Sequence, residues 1–326
     1  MLEFLAVERI VHRNKGSTLG VKKAAIRSAF EHEGLQDPTS GQRVKLMLRG
    51  MRREDGPPAS KQPAMLRHLE GVYKDLQVKK LGSQGTAMWA AMCLGYFFTL
   101  RSRSYVAKNK GRGYDKRDIL RRRDVRFVVG RGAEARVVKP TRANAHLITR
   151  MIIRVKRSKT DPQGEGYERG IDINHHPYAC AVKAVLAHLL VTPGLPGEFP
   201  VCCFDAKAAM RSTAQWTVTR DEVSKALKGA AMRMGESVDD MASHSLRIGG
   251  ATALAAAGAP DSFICYWGFW KSPAYRGYLR HVKEDPWEHR LAEELVRQDL
   301  HTAEGQQKPN WPRPWGDKEG YEEEEG

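Results

Sequence analysis

The sequence predicts an α+β fold that is mainly helical and contains one small antiparallel sheet. Three observations lead to this class. Amphipathic and apolar segments of helical length occupy both ends of the chain, two β-branched runs lie between them, and the second run is followed by a turn rich in Asp, Pro and Gly. With 326 residues, of which 41% are hydrophobic, the chain is long enough to form two domains with their own cores.

Three helices separated by turns are predicted in the first 80 residues. The first covers residues 17–35, with Ser17 as its N-cap. Residues 40–52 form the second after a turn at Asp37-Pro38, and a break rich in Gly and Pro precedes a third around 64–76. The stripe of the first helix is Leu19, Ala24, Ile26 and Phe30. We therefore place a small helical domain at residues 1–80.

A mixed α/β region is predicted from residue 81 to residue 283. It begins with an apolar helix over 84–100 that leads into Arg101. Strands are predicted at Asp124–Val129 and Leu147–Val155, with another near 169–174. Between the last two, the segment from Ser158 to Gly164 contains the Asp, Pro and Gly of a hairpin turn.

The second half of this region is helical. Residues 178–192 are typical of a buried helix, and Thr219 with Glu222 forms a capping box for a helix over 220–234. His244 opens a helix that continues to Ala257, and the adjacent Gly249 and Gly250 indicate close helix packing. Residues 284–326 are expected to be one helix, Glu288–Leu300, followed by an acidic disordered tail.

The net charge is strongly positive. Formal charge is +16 and the pI is about 9.7, which favours a polyanionic partner, although a generic basic protein of the ribosomal or chromatin type would have the same composition. No apolar run has the length of a membrane span, and the first residues lack a secretory signal. Five cysteines without a C-x-x-C pair indicate a reduced, intracellular protein without a disulfide framework or metal site.

One stretch contains side chains suited to phosphodiester chemistry. His244 and Arg247 are three residues apart, so both project from one helix face, where they can donate to phosphate oxygens. Trp270 offers an indole N–H, and Tyr278 offers a hydroxyl nucleophile. Tyr275 is the alternative nucleophile on residue type alone.

This stretch resembles the C-terminal signature of the tyrosine recombinases, the phage-integrase superfamily, and most of all the versions carried by crypton and DIRS transposons. The matching residues are the box His244-Ser-Leu-Arg247, the following Gly249-Gly-Ala-Thr252, and Gly268-Phe-Trp270-Lys-Ser272. Tyr278 lies eight residues after Trp270, as the family pattern requires. Phe269 stands where the family usually has Arg.

Two upstream segments extend the resemblance. The run from Leu94 to Tyr105 is similar to the box that carries the first catalytic Arg, here Arg101, although Ser104 replaces the usual acidic residue. Arg157-Ser-Lys159-Thr-Asp161 is similar to the β-hairpin that carries the catalytic Lys. The resemblance implies six catalytic residues: Arg101, Lys159, His244, Arg247, Trp270 and Tyr278.

The resemblance also implies a function and its partners. It implies a core-binding helical clamp at residues 1–80, a catalytic domain at 81–283, and double-stranded DNA as the substrate. Strands would be cleaved and rejoined through a 3′-phosphotyrosine, without cofactor, metal or ATP, by a homo-oligomer of two to four copies on DNA. The expected location is the nucleus in a eukaryote and the cytoplasm otherwise. Two alternatives remain open: a domesticated, non-catalytic DNA-binding protein, and a type IB topoisomerase.

Overall fold

The computed structural model describes residues 1–56, 61–79, 82–110, 113–157, 161, 163–205, 213, 215–270, 273–279 and 286–303. The chain divides into two compact units, Met1–Ser60 and Lys61–Gly326. The acidic tail expected at the C-terminus lies outside the described residues. No helix in the described part of the chain combines the length and the apolar character of a membrane span.

The first unit consists of three helices, α1 (Leu2–Ile10), α2 (Gly16–His32) and α3 (Gln42–Glu54). The last two confirm the sequence prediction, whereas α1 was not predicted. Only Leu19 of the expected α2 stripe lies in the core, since Ala24 is exposed and Ile26 and Phe30 are half-buried. The buried apolar core of this unit is Leu5, Leu19, Val44, Leu48 and Met51.

A residue distant in sequence caps α2. The N-cap is Lys15 and not the predicted Ser17, and the Lys15 side chain makes no capping hydrogen bond. Instead the Asp55 carboxylate, at the end of α3, accepts the Gly16 N–H at 2.5 Å and also pairs with Arg9 of α1. An anion at a helix N-terminus accepts a hydrogen bond from an unpaired backbone N–H and interacts favourably with the helix dipole. Because Asp55 follows α3 and contacts both α2 and α1, it connects all three helices.

The second unit contains seven helices among its described residues. The N-terminal four are α4 (Leu66–Lys79), α5 (Gly82–Phe97), α6 (Ala181–Val191) and α7 (Arg220–Arg233). These are followed by α8 (His244–Ala256), α9 (Asp261–Gly268) and α10 (Pro286–Ala303). The predicted helices in this part of the chain are thereby confirmed, with shifts of a few residues at their ends. The capping box of α7 also forms, with the Glu222 carboxylate accepting the Thr219 N–H at 2.8 Å.

The boundary between the two compact units lies between Ser60 and Lys61. Residues 61–79 belong to the larger unit, because α4 packs on α7 and α5. Just before α4, the Ala64 N–H donates to the Ser245 carbonyl at 2.8 Å. On α4 itself, His68 Nε2 lies 2.7 Å from a carboxylate oxygen of Glu236, which follows α7. These contacts join segments far apart in sequence, so no local pattern near residue 80 could indicate them.

The sheet has four antiparallel strands in the order β2-β1-β3-β4. The strands are β1 (Val125–Val129), β2 (Arg136–Val138), β3 (Ile148–Val155) and β4 (Tyr167–Asp172). Three were predicted, and the missed β2 is an edge strand of only three, mostly exposed residues, too short to show a period. Val155 pairs with Tyr167, so the segment between them is the predicted hairpin connection.

Close helix packing forms around the paired glycines of α8, as the sequence predicted. A Cβ on Gly249 would lie 2.0 Å from the Ala64 carbonyl oxygen, and one on Gly250 would lie 2.2 Å from that of Tyr96. α5 is buried along almost its whole length, between α6 and α8, so α8 and the end of α5 are held in fixed register. His244 and Arg247 lie on the first turns of α8, and Arg101 lies on the segment that follows α5.

Candidate active site

Two left-handed turns bring the site together. α5 ends at Phe97 and the chain then reverses at Thr99, where φ is 47°. α9 ends at Gly268 and the chain reverses at Phe269, where φ is 56°. A side chain makes this conformation unfavourable by about 1 kcal/mol or more, so tertiary contacts must hold both turns. Both turns contribute a carbonyl to the same arginine.

That arginine is Arg247, on the second turn of α8 and only 3% exposed. Its Nη1 donates to the Thr99 carbonyl, and its Nη2 donates to the Gly268 carbonyl at 2.6 Å. Its guanidinium carbon lies 4.0 Å from the centre of the Trp270 ring. Two carbonyls and an aromatic face therefore compensate for the desolvation of this cation and fix its plane.

Trp270 and Gly268 form the other side of this arrangement. The Trp270 backbone N–H donates to the Cys265 carbonyl at 3.0 Å, which folds the indole back over the end of α9. A Cβ on Gly268 would lie 1.6 Å from that indole, so only glycine fits at this position. Trp270 is 7% exposed, and its contact with Arg247 supports a packing role there.

His244 begins α8, one helical turn before Arg247. Burial, together with the positive charges of Arg247 and Arg101, lowers the pKa of His244 to about 4. The imidazole is therefore neutral at physiological pH, and a neutral imidazole can accept a proton as well as donate one. The charges of Arg101 and Arg247 therefore both act on this ring.

Arg101 lies beyond the end of α5, after the reversal at Thr99. It precedes a short 3₁₀ turn, Ser102–Ser104, so it is not a cation at the last turn of a helix. Ser104, where the family has an acidic residue, is 4% exposed, and its carbonyl accepts the Leu120 N–H at 2.7 Å. Asp118 is a buried carboxylate close by in the sequence, and it pairs with Arg103.

The hairpin between β3 and β4 is organised by Asp161. Its carboxylate accepts the backbone N–H groups of Gly164, Glu165 and Gly166 at 3.0, 3.2 and 2.9 Å. Gly164 and Gly166 both have positive φ, as the turn requires. Lys159 itself lies outside the described residues.

The two candidate tyrosines lie in a 3₁₀ segment, Pro273–Tyr278. Tyr275 is 1% exposed, and its ring centre lies 5.9 Å from that of Trp270. Burial raises the pKa of Tyr275. An enclosed phenol against the indole indicates a packing role for Tyr275. The side chain of Tyr278 is outside the described part of the structure.

A third arginine near the site, Arg169, was not predicted from the sequence. Arg169 on β4 is 5% exposed, and its Nη2 donates to the Tyr266 carbonyl at 2.9 Å. Its guanidinium carbon lies 3.6 Å from the Tyr266 ring centre and 4.4 Å from that of Phe269. Phe269 also stacks on Tyr167, the first residue of β4. The Phe269 turn is thus held by β4. In the sequence, the Phe at position 269 in place of the usual Arg was the signal that could have suggested an aromatic or cationic partner for this turn.

Comparisons with known proteins give structural similarity only. No family model and no curated protein matches the chain. The integrase of transposon Tn1549 in complex with transposon right end DNA superposes with a TM-score of 0.48 at 13% identity, over 92% of this chain and 83% of that one. The same integrase with a circular intermediate DNA gives 0.44 at 14%, over 91% and 82%.

Proposed function

We propose that the protein is a tyrosine recombinase that cleaves and rejoins DNA strands. The observation that carries this proposal is the convergence of Arg101, His244, Arg247 and Trp270, which come from segments widely separated in sequence. Such a group of two cations, a neutral imidazole and an aromatic wall suits a phosphodiester anion. The order of these residues in the chain matches the family pattern.

In the proposed reaction, Arg101 and Arg247 bind the non-bridging oxygens of the scissile phosphate and stabilise the charge of the pentacoordinate phosphorus. The Tyr278 oxygen forms a bond to phosphorus while the bond to the 5′ oxygen breaks. The phenolic proton passes to His244, and Lys159 protonates the departing 5′ oxygen. Attack by a 5′ hydroxyl on the phosphotyrosine reverses each transfer and rejoins a strand.

The first unit fits the role of a DNA clamp in this proposal. Val44, Leu48 and Met51 of α3 belong to the core, and the cations of the helix lie exposed on the rest of its surface. Phosphate contacts by such cations bind a duplex without regard to sequence and with strong salt dependence. Two to four copies are expected to assemble on DNA. The exposed cations of α3 are Arg43, Lys45, Arg49, Arg52 and Arg53.

The alternative is a non-catalytic DNA-binding protein with the same fold. The observation that favours it is Ser104, because this buried hydroxyl stands where the family has a carboxylate that orients Arg101. Without that carboxylate the first arginine must be oriented by other contacts if cleavage occurs.

Trapping a covalent adduct distinguishes the two. Full-length protein is incubated with nicked duplex DNA that prevents rejoining, and the products are separated on a denaturing gel. We expect an adduct with wild type and Tyr275→Phe, and none with Tyr278→Phe, because only the last lacks the proposed nucleophile. Salt-sensitive binding without any wild-type adduct would establish the non-catalytic alternative, and relaxation of a plasmid without strand exchange would indicate a topoisomerase.

A further inference from the structure

Tyr167 connects the base of the β3–β4 hairpin with the turn at Phe269. It is the first residue of β4 and pairs with Val155 at the base of the β3–β4 hairpin. The preceding Gly166 N–H donates to the Asp161 carboxylate at 2.9 Å, so the backbone beside Tyr167 is fixed to the hairpin turn. The same hairpin carries Lys159 in its sequence.

The ring of Tyr167 contacts the turn that holds Arg247. It stacks on Phe269, which directly follows the Gly268 carbonyl that accepts from Arg247. The Tyr167 ring also lies near Arg169, whose guanidinium carbon is 5.4 Å from the ring centre. The phenol is therefore held by stacking at one place, which is a requirement for a hydroxyl that must point to a fixed target.

The hydroxyl of Tyr167 lies in a strongly cationic region. Burial raises the pKa of Tyr167 to about 12, although the charges of Arg169, Arg247 and Arg101 lower it. The phenol thus keeps its proton at physiological pH. Surrounding cations attract the oxygen lone pairs, which leaves the O–H available as a donor to an anion.

We propose that Tyr167 is a further substrate-contacting residue, whose hydroxyl donates a hydrogen bond to a non-bridging oxygen of the phosphate bound by Arg101 and Arg247. This inference rests on the proposed function for the identity of the phosphate. It extends the phosphate-binding group beyond the residues that the family pattern supplies. In this proposal β4 has two roles. Its side chains Tyr167 and Arg169 support the Phe269 turn, and the Tyr167 hydroxyl is a hydrogen-bond donor to the phosphate.

The first test measures anion binding without any chemistry. Inorganic phosphate is titrated into the full-length protein at low salt by calorimetry. We expect Tyr167→Phe to weaken phosphate binding about tenfold, because a hydrogen bond to a charged group is lost while the stacked ring remains. The melting temperature should stay within about 2 °C of wild type, since the stacked ring is retained and only one hydroxyl is removed.

Two control variants define the site. Tyr73→Phe removes a phenol that stacks on Tyr178 in another part of the unit, and it should leave phosphate binding unchanged. Arg101→Gln should remove most of the binding if the phosphate occupies the site. Phosphate affinity that is unaltered in Tyr167→Phe overturns the proposal, and so does wild-type binding that is insensitive to Arg101→Gln or absent altogether.

The second test follows covalent adduct formation by the same variants on nicked DNA. With saturating DNA, Tyr167→Phe should form the adduct about tenfold more slowly and bind DNA as wild type does, because flanking phosphate contacts dominate affinity. If phosphate binding depends on Tyr167 but no variant forms an adduct, the recombinase function fails and the anion site stands. If adducts form at the wild-type rate and phosphate binding is unchanged, the function stands and the role of Tyr167 fails.

Discussion

The two units use positive charge in opposite ways. In the first unit the α3 cations lie on the surface, around a core of only five buried apolar side chains. In the second unit Arg247 is buried between two backbone carbonyls and an indole. Exposed cations are screened and mobile, so they suit reversible binding of a polyanion, whereas a buried cation has one geometry and suits a reaction. The buried arginine thus lies in the unit with the larger core.

Apolar exposure follows the same division. More than half of the described exposed large apolar side chains belong to the first unit, although that unit is much the smaller. A small helical unit has too little interior to enclose all of them. The exposed set in the first unit is Leu2, Phe4, Val7, Ile10, Val11, Val21, Leu35 and Leu46.

The largest expected effect comes from Arg247→Lys. Lysine keeps the charge but cannot donate to both the Thr99 and Gly268 carbonyls in one plane. We expect adduct formation at saturating DNA to fall about a thousandfold or more, with a much smaller change in DNA affinity. Single-turnover cleavage and filter binding measure the two quantities. A variant with nearly wild-type cleavage would show that the buried geometry is dispensable.

Gly268→Ala tests the steric limit at the same turn. Because the added Cβ would lie 1.6 Å from the Trp270 ring, either the indole or the turn must move. We expect the free energy of unfolding of the second unit to fall by about 3 kcal/mol. The matched control is Gly277→Ala, where no atom lies within 4 Å of the added Cβ. Equal chemical-denaturation midpoints for the two variants would contradict the packing described at Trp270.

Leu19→Ala tests the thin core of the first unit. Leu19 is fully buried there, so its truncation should cost about 2 to 3 kcal/mol. Hydrogen exchange should accelerate in residues 1–56 and remain unchanged in the helices of the second unit, because each unit has its own core. Val21→Ala is the control, since Val21 is 72% exposed and its truncation should change exchange very little. Acceleration throughout both units would mean that they unfold as one.

The pKa of His244 tests whether the ring is buried beside the charges of Arg247 and Arg101. Its pKa of about 4 lies below the usual value of 6.5, so the unfolded chain takes up the proton first as pH falls. The stability that depends on neutral His244 is complete above pH 6.5 and is lost as pH falls towards 4. NMR titration should give a midpoint near 4 in wild type and a higher one in Arg101→Gln, where one positive charge is absent. A midpoint near 6.5 in wild type would show that His244 is neither buried nor close to the two arginine charges.

The smallest effect is expected on the exposed side of the comparison. Arg49→Ala removes one surface cation of α3, so DNA binding should weaken a few-fold and the slope of log affinity against log salt should fall by about 0.9. The rate of adduct formation at saturating DNA should not change. A lower rate with unchanged affinity would instead assign Arg49 to the chemistry.

Local patterns in the sequence were sufficient for most of the regular elements and for one helix cap. The Thr219–Glu222 box, the Asp161 turn and the paired glycines of α8 each depend on residues that are near in sequence or on an intrinsic property of one residue type. By contrast, the cap of α2 depends on Asp55, which lies 39 residues from Gly16 and also pairs with Arg9 of α1. A local sequence pattern does not include a residue so far away. The prediction of Ser17 as the cap, which considered only neighbouring residues, was therefore wrong.

The candidate site divides in the same way. The sequence by itself determined which residue types are present and their order along the chain, because these are properties of the chain alone. Only the tertiary structure decided that Arg247 lies between the carbonyls of Thr99 and Gly268, that β4 supports the Phe269 turn, and that His244 is neutral. These features arise from burial and from contacts between distant segments. The free energy of a desolvated charge depends on everything that surrounds it, and the surroundings exist only after folding.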